Sequence, residues 1–328
     1  MKSNIKFFNN DEGVSPIIAT LVLIVVAIIG AAAVGLIMSN FSSSVSQQAN
    51  SGNTAGQAST TISVAGSTSM QPVITQIAAW YGSNNTGVKV NVAPGGSGVG
   101  YMSVEKNMAD IGMISEGINS AQLTAYPNLK AYQVGASGVA FAYATSSVGV
   151  TNPTPAQLAT LFSNTGLPVA GLTASVGRSD VSGTQDTAKA FLQSVTPGST
   201  WAPTKLANGN GGVYTEITTN VNEIGILDSD YAFGKTGLTL VDFSGTLGIP
   251  AATPPSWANI QKEIQQNPST PTYPAGLVRP LNLITNGPAS SMSLGFIQYC
   301  QAPTTVNQNV FAAADQVHIS QVASAFLE

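Results

Sequence analysis

Three times in this chain a short β-rich run ends in a knot of small residues and passes straight into a stretch with apolar residues at helical spacing. The first runs over 61–65, turns through Gly66-Ser67-Thr68-Ser69, and continues with Met70, Val73, Ile77 and Trp80. The second runs over 88–92 and passes through Gly96-Ser97-Gly98 into a helix that reaches Val104. The third runs over 172–176 and passes through Arg178-Ser179-Asp180-Val181-Ser182-Gly183-Thr184 into Ala188, Phe191, Leu192 and Val195. A pattern that switches in this way predicts strand, turn and helix. Strands alternating with helices predict an α/β fold with largely parallel sheets. Further strands are expected at 111–114, 138–143, 223–227 and 281–285, and further helices at 156–162, 257–264 and 292–299.

The chemistry concentrates at those turns. A helix start presents unpaired N–H groups and the positive end of the dipole, glycine lets an anion approach, and serine and threonine add hydroxyl donors. Any one such turn taken singly reads as simple capping, since Ser and Thr are common N-caps. Three of them with an arginine point to an oxyanion site. Arg178 can pair with an oxyanion through two parallel bonds, and Asp180, two residues on, is placed to hold its guanidinium. Asp110 ahead of the strand at 111–114 has two readings. It is either a turn aspartate or a carboxylate that accepts the proton phosphate still carries near neutral pH. In the second case it would exclude sulfate, which brings no proton and would leave two acceptors face to face.

Composition removes other function classes. Charged residues make up 8% of the 328 residues and the net charge is -4, so the dense basic surface that nucleic-acid binding needs is missing. The one histidine, His318, excludes multi-histidine metal sites. The one cysteine, Cys300, has no disulfide partner in the chain and reads as a small core residue. A hydrolase with Ser97 as nucleophile would depend on His318 alone for its base, and Gly95-Gly96-Ser97-Gly98-Val99 lacks the last glycine of a nucleophile elbow. We therefore expect no enzyme, no metal and no cofactor.

The N-terminal region predicts an anchor. From Ile17 to Met38 no charge appears, and at about 1.5 Å per residue this run spans roughly 33 Å, enough for a bilayer core. Lys2 and Lys6 precede it, which keeps the N-terminus cytoplasmic and exports the rest. The stretch Asp11-Glu12-Gly13-Val14-Ser15-Pro16 resembles the class III signal of archaeal type IV pilins. That resemblance implies a leader over 1–13, removed by a prepilin-type peptidase, and a pilin-like transmembrane helix over 14–40. Residues 41–60 are almost all small or polar and form a flexible linker.

Downstream, Ala65-Gly66-Ser67-Thr68-Ser69-Met70-Gln71-Pro72, then Gly96-Ser97-Gly98 with Ala109-Asp110-Ile111-Gly112, then Arg178 with Ser182-Gly183-Thr184 resemble the ordered ligand motifs of the phosphate-binding receptors of ABC transporters. Asn222-Glu223-Ile224-Gly225-Ile226, Tyr273-Pro274 and Arg279-Pro280-Leu281 follow the same pattern. The resemblance implies the type II periplasmic-binding fold, with one lobe of 61–143 and 273–328 and a second of 144–272. It also implies phosphate ligands at Thr68, Ser69, Ser97, Asp110, Arg178, Ser182, Gly183 and Thr184, supported by Ser67, Gly98 and Asp180. The implied partners are inorganic phosphate and an ABC transporter permease, with the membrane reached through the N-terminal helix. A filament subunit carrying a receptor-like head is the alternative that the same helix leaves open.

Overall fold

The computed structural model describes residues 60–327. The leader, the apolar helix and all of the linker but Thr60 lie outside the described residues. Among those described, no helix is long and apolar enough to cross a membrane.

In chain order the elements are β1 (Thr60–Gly66), α1 (Gln71–Asn84), β2 (Val88–Pro94), α2 (Ser97–Glu105), β3 (Ile111–Ile114), α3 (Ser120–Ala125), β4 (Leu129–Ala144), α4 (Pro155–Phe162), β5 (Ala174–Arg178), α5 (Gly183–Val195), β6 (Lys205–Ala207) and α6 (Gly209–Thr219). They continue with β7 (Glu223–Asp228), α7 (Ser229–Gly234), β8 (Leu238–Leu240), α8 (Trp257–Gln266), β9 (Val278–Asn286), α9 (Ser291–Gln301), α10 (Thr305–Ala313) and β10 (Val317–His318). The strands pair in the order β2-β1-β3-β9-β4-β7-β5-β6, with β8 and β10 added to β4.

Each end of this sheet is parallel: β2, β1 and β3 in one half, β7, β5 and β6 in the other. The middle is antiparallel, β3 to β9, β9 to β4 and β4 to β7. The largely parallel sheet expected from the alternation therefore holds only within each half. β4 carries the chain out of the first half and β9 brings it back, so the two crossing strands must run in opposite directions. β4 pairs with β9 over 129–138 and with β7 over 139–143. The handover thus falls inside the strand, ahead of the boundary expected between 143 and 144.

Each half has its own core. In the first, Ile74 and Ile77 of α1, Phe296 and Ile297 of α9 and Phe311 of α10 cover Ile62, Val64, Met113 and Leu283 of the sheet. In the second, Leu158 and Phe162 of α4 and Phe191 and Leu192 of α5 cover Phe141, Ile224 and Ile226. Phe141 meets Phe162 edge-on with ring centroids 5.4 Å apart. Burial of each such side chain contributes about 1.5–3 kcal/mol.

The helix starts divide into two groups. Five helices are capped by a side chain: α3 by Asn119, α4 by Thr154, α8 by Ser256, α9 by Ser290 and α10 by Thr304. α1, α2, α5 and α6 have no side-chain cap, and neither does the short α7. The hydroxyl-rich turns before α1, α2 and α5 are therefore not spent on capping, although capping is the commonest use of those residues.

Candidate functional site

The sequence holds two arginines, and both are buried, Arg178 at 3% and Arg279 at 1% exposure. A guanidinium taken out of water needs matched charge and acceptors, so their partners map the centre of the molecule. Arg178 closes β5 and grips Asp180 with two bonds, Nε to Oδ1 at 2.8 Å and Nη2 to Oδ2 at 2.5 Å. Its Nη1 donates to Asn210 Oδ1 at 3.2 Å. Burial works to raise the pKa of Asp180, but Arg178 and the Gly209 N–H outweigh it and hold the carboxyl below its ordinary value.

Arg279 lies on the crossing strand β9 and reaches into both halves. Nη1 donates to Ser115 O (3.0 Å), Ser115 Oγ (3.1 Å) and Thr184 Oγ1 (2.9 Å); Nη2 donates to Ser69 Oγ (3.0 Å); Nε donates to Ser137 Oγ (3.0 Å). Nη2 also lies 3.2 Å from Asp228 Oδ1, and that aspartate is fully buried. Burial pulls the Arg279 pKa below its ordinary value, while Asp228 opposes the shift. Asp228 Oδ2 is buried with no hydrogen-bond partner among the described residues.

Hydroxyls tie the two arginines together. Ser69 Oγ accepts from Asn210 Nδ2 at 3.2 Å as well as from Arg279. Ser97 Oγ accepts from Ser115 N at 3.2 Å and from Gly183 N at 3.4 Å, joining α2 of one half to α5 of the other. Ser67 Oγ donates to Ser115 Oγ at 2.9 Å.

Close approach at these contacts requires glycine. A Cβ on Gly183 would stand 2.2 Å from Ser115 O, and one on Gly98 would stand 2.5 Å from Val181 Cβ. Gly98 N donates to Val181 O at 3.2 Å, so the exposed Val181 takes part through its backbone. Gly66, at φ 138°, would bring a Cβ to 2.2 Å from Met113 O and holds β1 against β3 where the first turn begins.

Ser67, Ser69, Ser97, Gly98, Arg178, Asp180, Gly183 and Thr184 thus meet in one cluster, with Ser182 buried at the start of α5 beside them. Thr68 is half-buried and lines a cavity of about 360 Å³ next to the cluster. Asp110 does not join it. It is exposed ahead of β3, where Oδ2 accepts from Ser63 N at 2.8 Å and Ser63 Oγ at 2.6 Å. The cluster gathers at the other end of that strand, about 13 Å away at roughly 3.3 Å per residue. The turn-aspartate reading describes its surroundings.

Glu116 lies two residues past β3, at the end of the strand where the cluster gathers, and is 4% exposed. Burial and the neighbouring Asp186 carboxyl push its pKa up to about 8, against the pull of Tyr101 and Arg279. His318 is buried with Nε2 2.9 Å from Cys300 O and Nδ1 2.8 Å from Ser320 Oγ. Both ring nitrogens thus have partners other than Ser97, and burial lowers the ring's pKa. Burial likewise pushes the Cys300 thiol up, out of the thiolate range. Among the described residues no group of three or more His, Cys, Asp and Glu is arranged to hold a metal ion.

Residues 51–304 match the profile of the PBP superfamily domain. The chain belongs to the PBP superfamily. No curated protein matches the sequence. Among solved structures, this PBP-superfamily chain is similar to a Clostridium perfringens protein assigned as a phosphate ABC transporter substrate-binding protein and solved with bound phosphate. The identity is 19% over 79% of this chain and 99% of that one, with a TM-score of 0.61. It is similar to an ABC-type phosphate transport receptor from Vibrio cholerae, at 21% identity over 79% of this chain and 100% of the other, with a TM-score of 0.58. An ancestral soluble variant of the human phosphate binding protein matches at 17% identity over 81% and 91% of the two chains, with a TM-score of 0.58. Likeness at these identities shows the α/β type II periplasmic-binding-like fold, and the mixed sheet described above is its form here.

In this PBP-superfamily chain, sequence reasoning missed several residues in and around the cluster. Arg279 was seen only as part of a motif, although being one of two arginines in a chain this poor in charge was a usable signal. Asn210 opens α6 within Asn208-Gly209-Asn210-Gly211-Gly212, a run whose glycines hide the helix. Ser115 and Glu116 follow β3 and Asp228 ends β7, and the rule that open α/β sheets bind ligands beyond the carboxyl ends of their strands would have pointed to them.

Proposed function

We propose that the cluster is a phosphate site and that the chain is an extracytoplasmic solute-binding protein, which closes its two halves on inorganic phosphate and delivers it to an ABC transporter permease. The observation that carries this reading is the convergence of four helix starts without side-chain caps on the only two arginines, both buried. Hydroxyl, N–H and guanidinium donors from both halves are the equipment an oxyanion needs once water is excluded. The solved phosphate-binding relatives that share the fold support the same ligand.

In this reading Ser69, Ser97, Ser182, Gly183 and Thr184 donate to the anion with Arg178, and Thr68 closes its outer side. Ser67, Gly98 and Asp180 hold the donors in place. Asn210 and Arg279 join the set. The proton acceptor is reassigned from Asp110 to Asp228, whose second carboxylate oxygen has no partner among the described residues and whose first is on Arg279. A carboxylate there accepts the proton of phosphate and opposes sulfate. The protein binds and releases its ligand without turning it over. Export and anchoring rest on the uncharged run from Ile17 to Met38 behind Lys2 and Lys6, with a prepilin-type peptidase removing 1–13.

Thermal unfolding of the full chain with phosphate or sulfate tests the ligand. A ligand at a hundred times its Kd stabilises by about 2.7 kcal/mol. A rise in Tm with phosphate and none with equimolar sulfate is expected. Equal responses to both, or none to phosphate, would remove the proposal.

A further inference from the structure

The arginine cluster shares Asn210 with a neighbouring space. Beside it lies the cavity of about 360 Å³ that Thr68 and Asn210 help to line. Asn210 belongs to both spaces, since its Oδ1 accepts from Arg178 and its Nδ2 donates to Ser69. The Asn210 amide thus stands between the arginines and the cavity. One side of the cavity comes from α1, through Gln71. The other comes from α7 and the residue after it, through Asp230, Tyr231 and Lys235, with Lys235 Nζ 5.4 Å from the centre of the Tyr231 ring.

With a water's share of liquid volume at about 30 Å³, this space is on the order of ten waters, far more than four phosphate oxygens need. Its lining is suited to hydroxyl groups. Gln71 and Asn210 offer amides, Asp230 a carboxylate, Lys235 an ammonium and Tyr231 a ring edge with a hydroxyl. Burial, with Asp228 and Asp315 nearby, raises Asp230 to a pKa of about 6, so it is largely ionised at pH 7 and accepts hydrogen bonds.

We propose that the cleft takes small polyol phosphomonoesters, with the phosphoryl group on the arginine cluster and the hydroxylated carbon chain in the cavity lined by Gln71, Asp230, Tyr231 and Lys235. The inference rests on the phosphate-site reading and narrows it. An ester taken up as its monoanion keeps a P–OH for Asp228 and ionised oxygens for the donors of the cluster, and its bridging oxygen leads outward past Asn210.

Competition calorimetry on the full chain at about pH 6, where the ester still carries a proton in part, with inorganic phosphate and glycerol 3-phosphate as probes, tests this. Glycerol 3-phosphate is expected to displace phosphate and to bind about tenfold tighter. Asp230→Asn and Lys235→Ala should each reduce that ratio severalfold, while Val148→Thr, on an exposed residue away from the cavity, should not. Phosphate binding with glycerol 3-phosphate excluded or weaker overturns the ester inference and leaves the phosphate site standing. An unchanged ratio in both cavity variants also overturns it. Failure of both probes to bind the folded chain overturns the inference together with the reading beneath it.

Discussion

Arg279 Nη1 donates to Thr184 Oγ1 at 2.9 Å, a bond from the strand that rejoins the first half to the opening turn of a helix in the second. The same side chain is paired with Asp228, and both partners are almost wholly out of water. Fold and site therefore share this residue. The guanidinium that donates to hydroxyls of both halves also neutralises a buried carboxylate where they meet.

Arg279→Ala should consequently cost stability as well as affinity. Removing one partner of a buried pair leaves the other uncompensated, typically at about 3–5 kcal/mol. Urea unfolding of the variant should show a loss of that order, and Arg279→Ala/Asp228→Ala should recover part of it.

Gly183→Ala tests the approach of the halves separately from their charges. Its Cβ would be driven to 2.2 Å from Ser115 O, yet alanine is a good helix residue at this position. Phosphate affinity should fall tenfold or more, and the clash with the Ser115 backbone should lower stability by about 1–3 kcal/mol. Small-angle scattering with phosphate should then show a larger radius of gyration than wild type.

Glu116 sets a pH dependence. Its folded-state pKa is raised to about 8 from 4.5 by burial and by Asp186, so the folded chain holds a proton that the unfolded chain has lost between those values. Stability from this group is full below pH 4.5 and declines as pH rises toward 8, by at most about 1.4 kcal/mol per pH unit. His318, lowered by burial, acts in the opposite sense below its ordinary value of 6.5. Denaturation between pH 7 and 8 therefore isolates Glu116, above the range of Asp230 and below that in which the unfolded Cys300 thiol ionises. The downward slope should vanish in Glu116→Gln.

Asp228→Asn should relax the exclusion of sulfate, because the amide offers a donor where the carboxylate offers only an acceptor. Asp110→Asn should leave selectivity unchanged and cost about 1 kcal/mol through the Ser63 contacts. Sulfate titration of both variants checks the reassignment of the acceptor.

Much of this was legible before any coordinates. The three small-residue turns and the Arg178–Asp180 pair were visible because their parts are adjacent in sequence, and local spacing determines how they meet. Arg279, Asp228 and Asn210 were not, because their roles arise from β4 and β9 crossing between the halves, a pairing that no local period encodes. Asp110 was misplaced for a related reason. Its reading came from the proton that phosphate carries and from the motif around it, but strand direction decides which end meets the cluster. The short β6 and β8, three residues each, are too brief to show a period of two.

The central claim is that Arg178 and its surroundings bind phosphate. Calorimetric titration of the full chain with phosphate, beside Arg178→Ala, tests it most directly. The account predicts one site per chain and a loss in the variant of about tenfold to a hundredfold or more, the scale of a charge-assisted hydrogen bond or two. Phosphate binding that survives unchanged in Arg178→Ala, or a folded wild-type chain that takes up no phosphate, would contradict it.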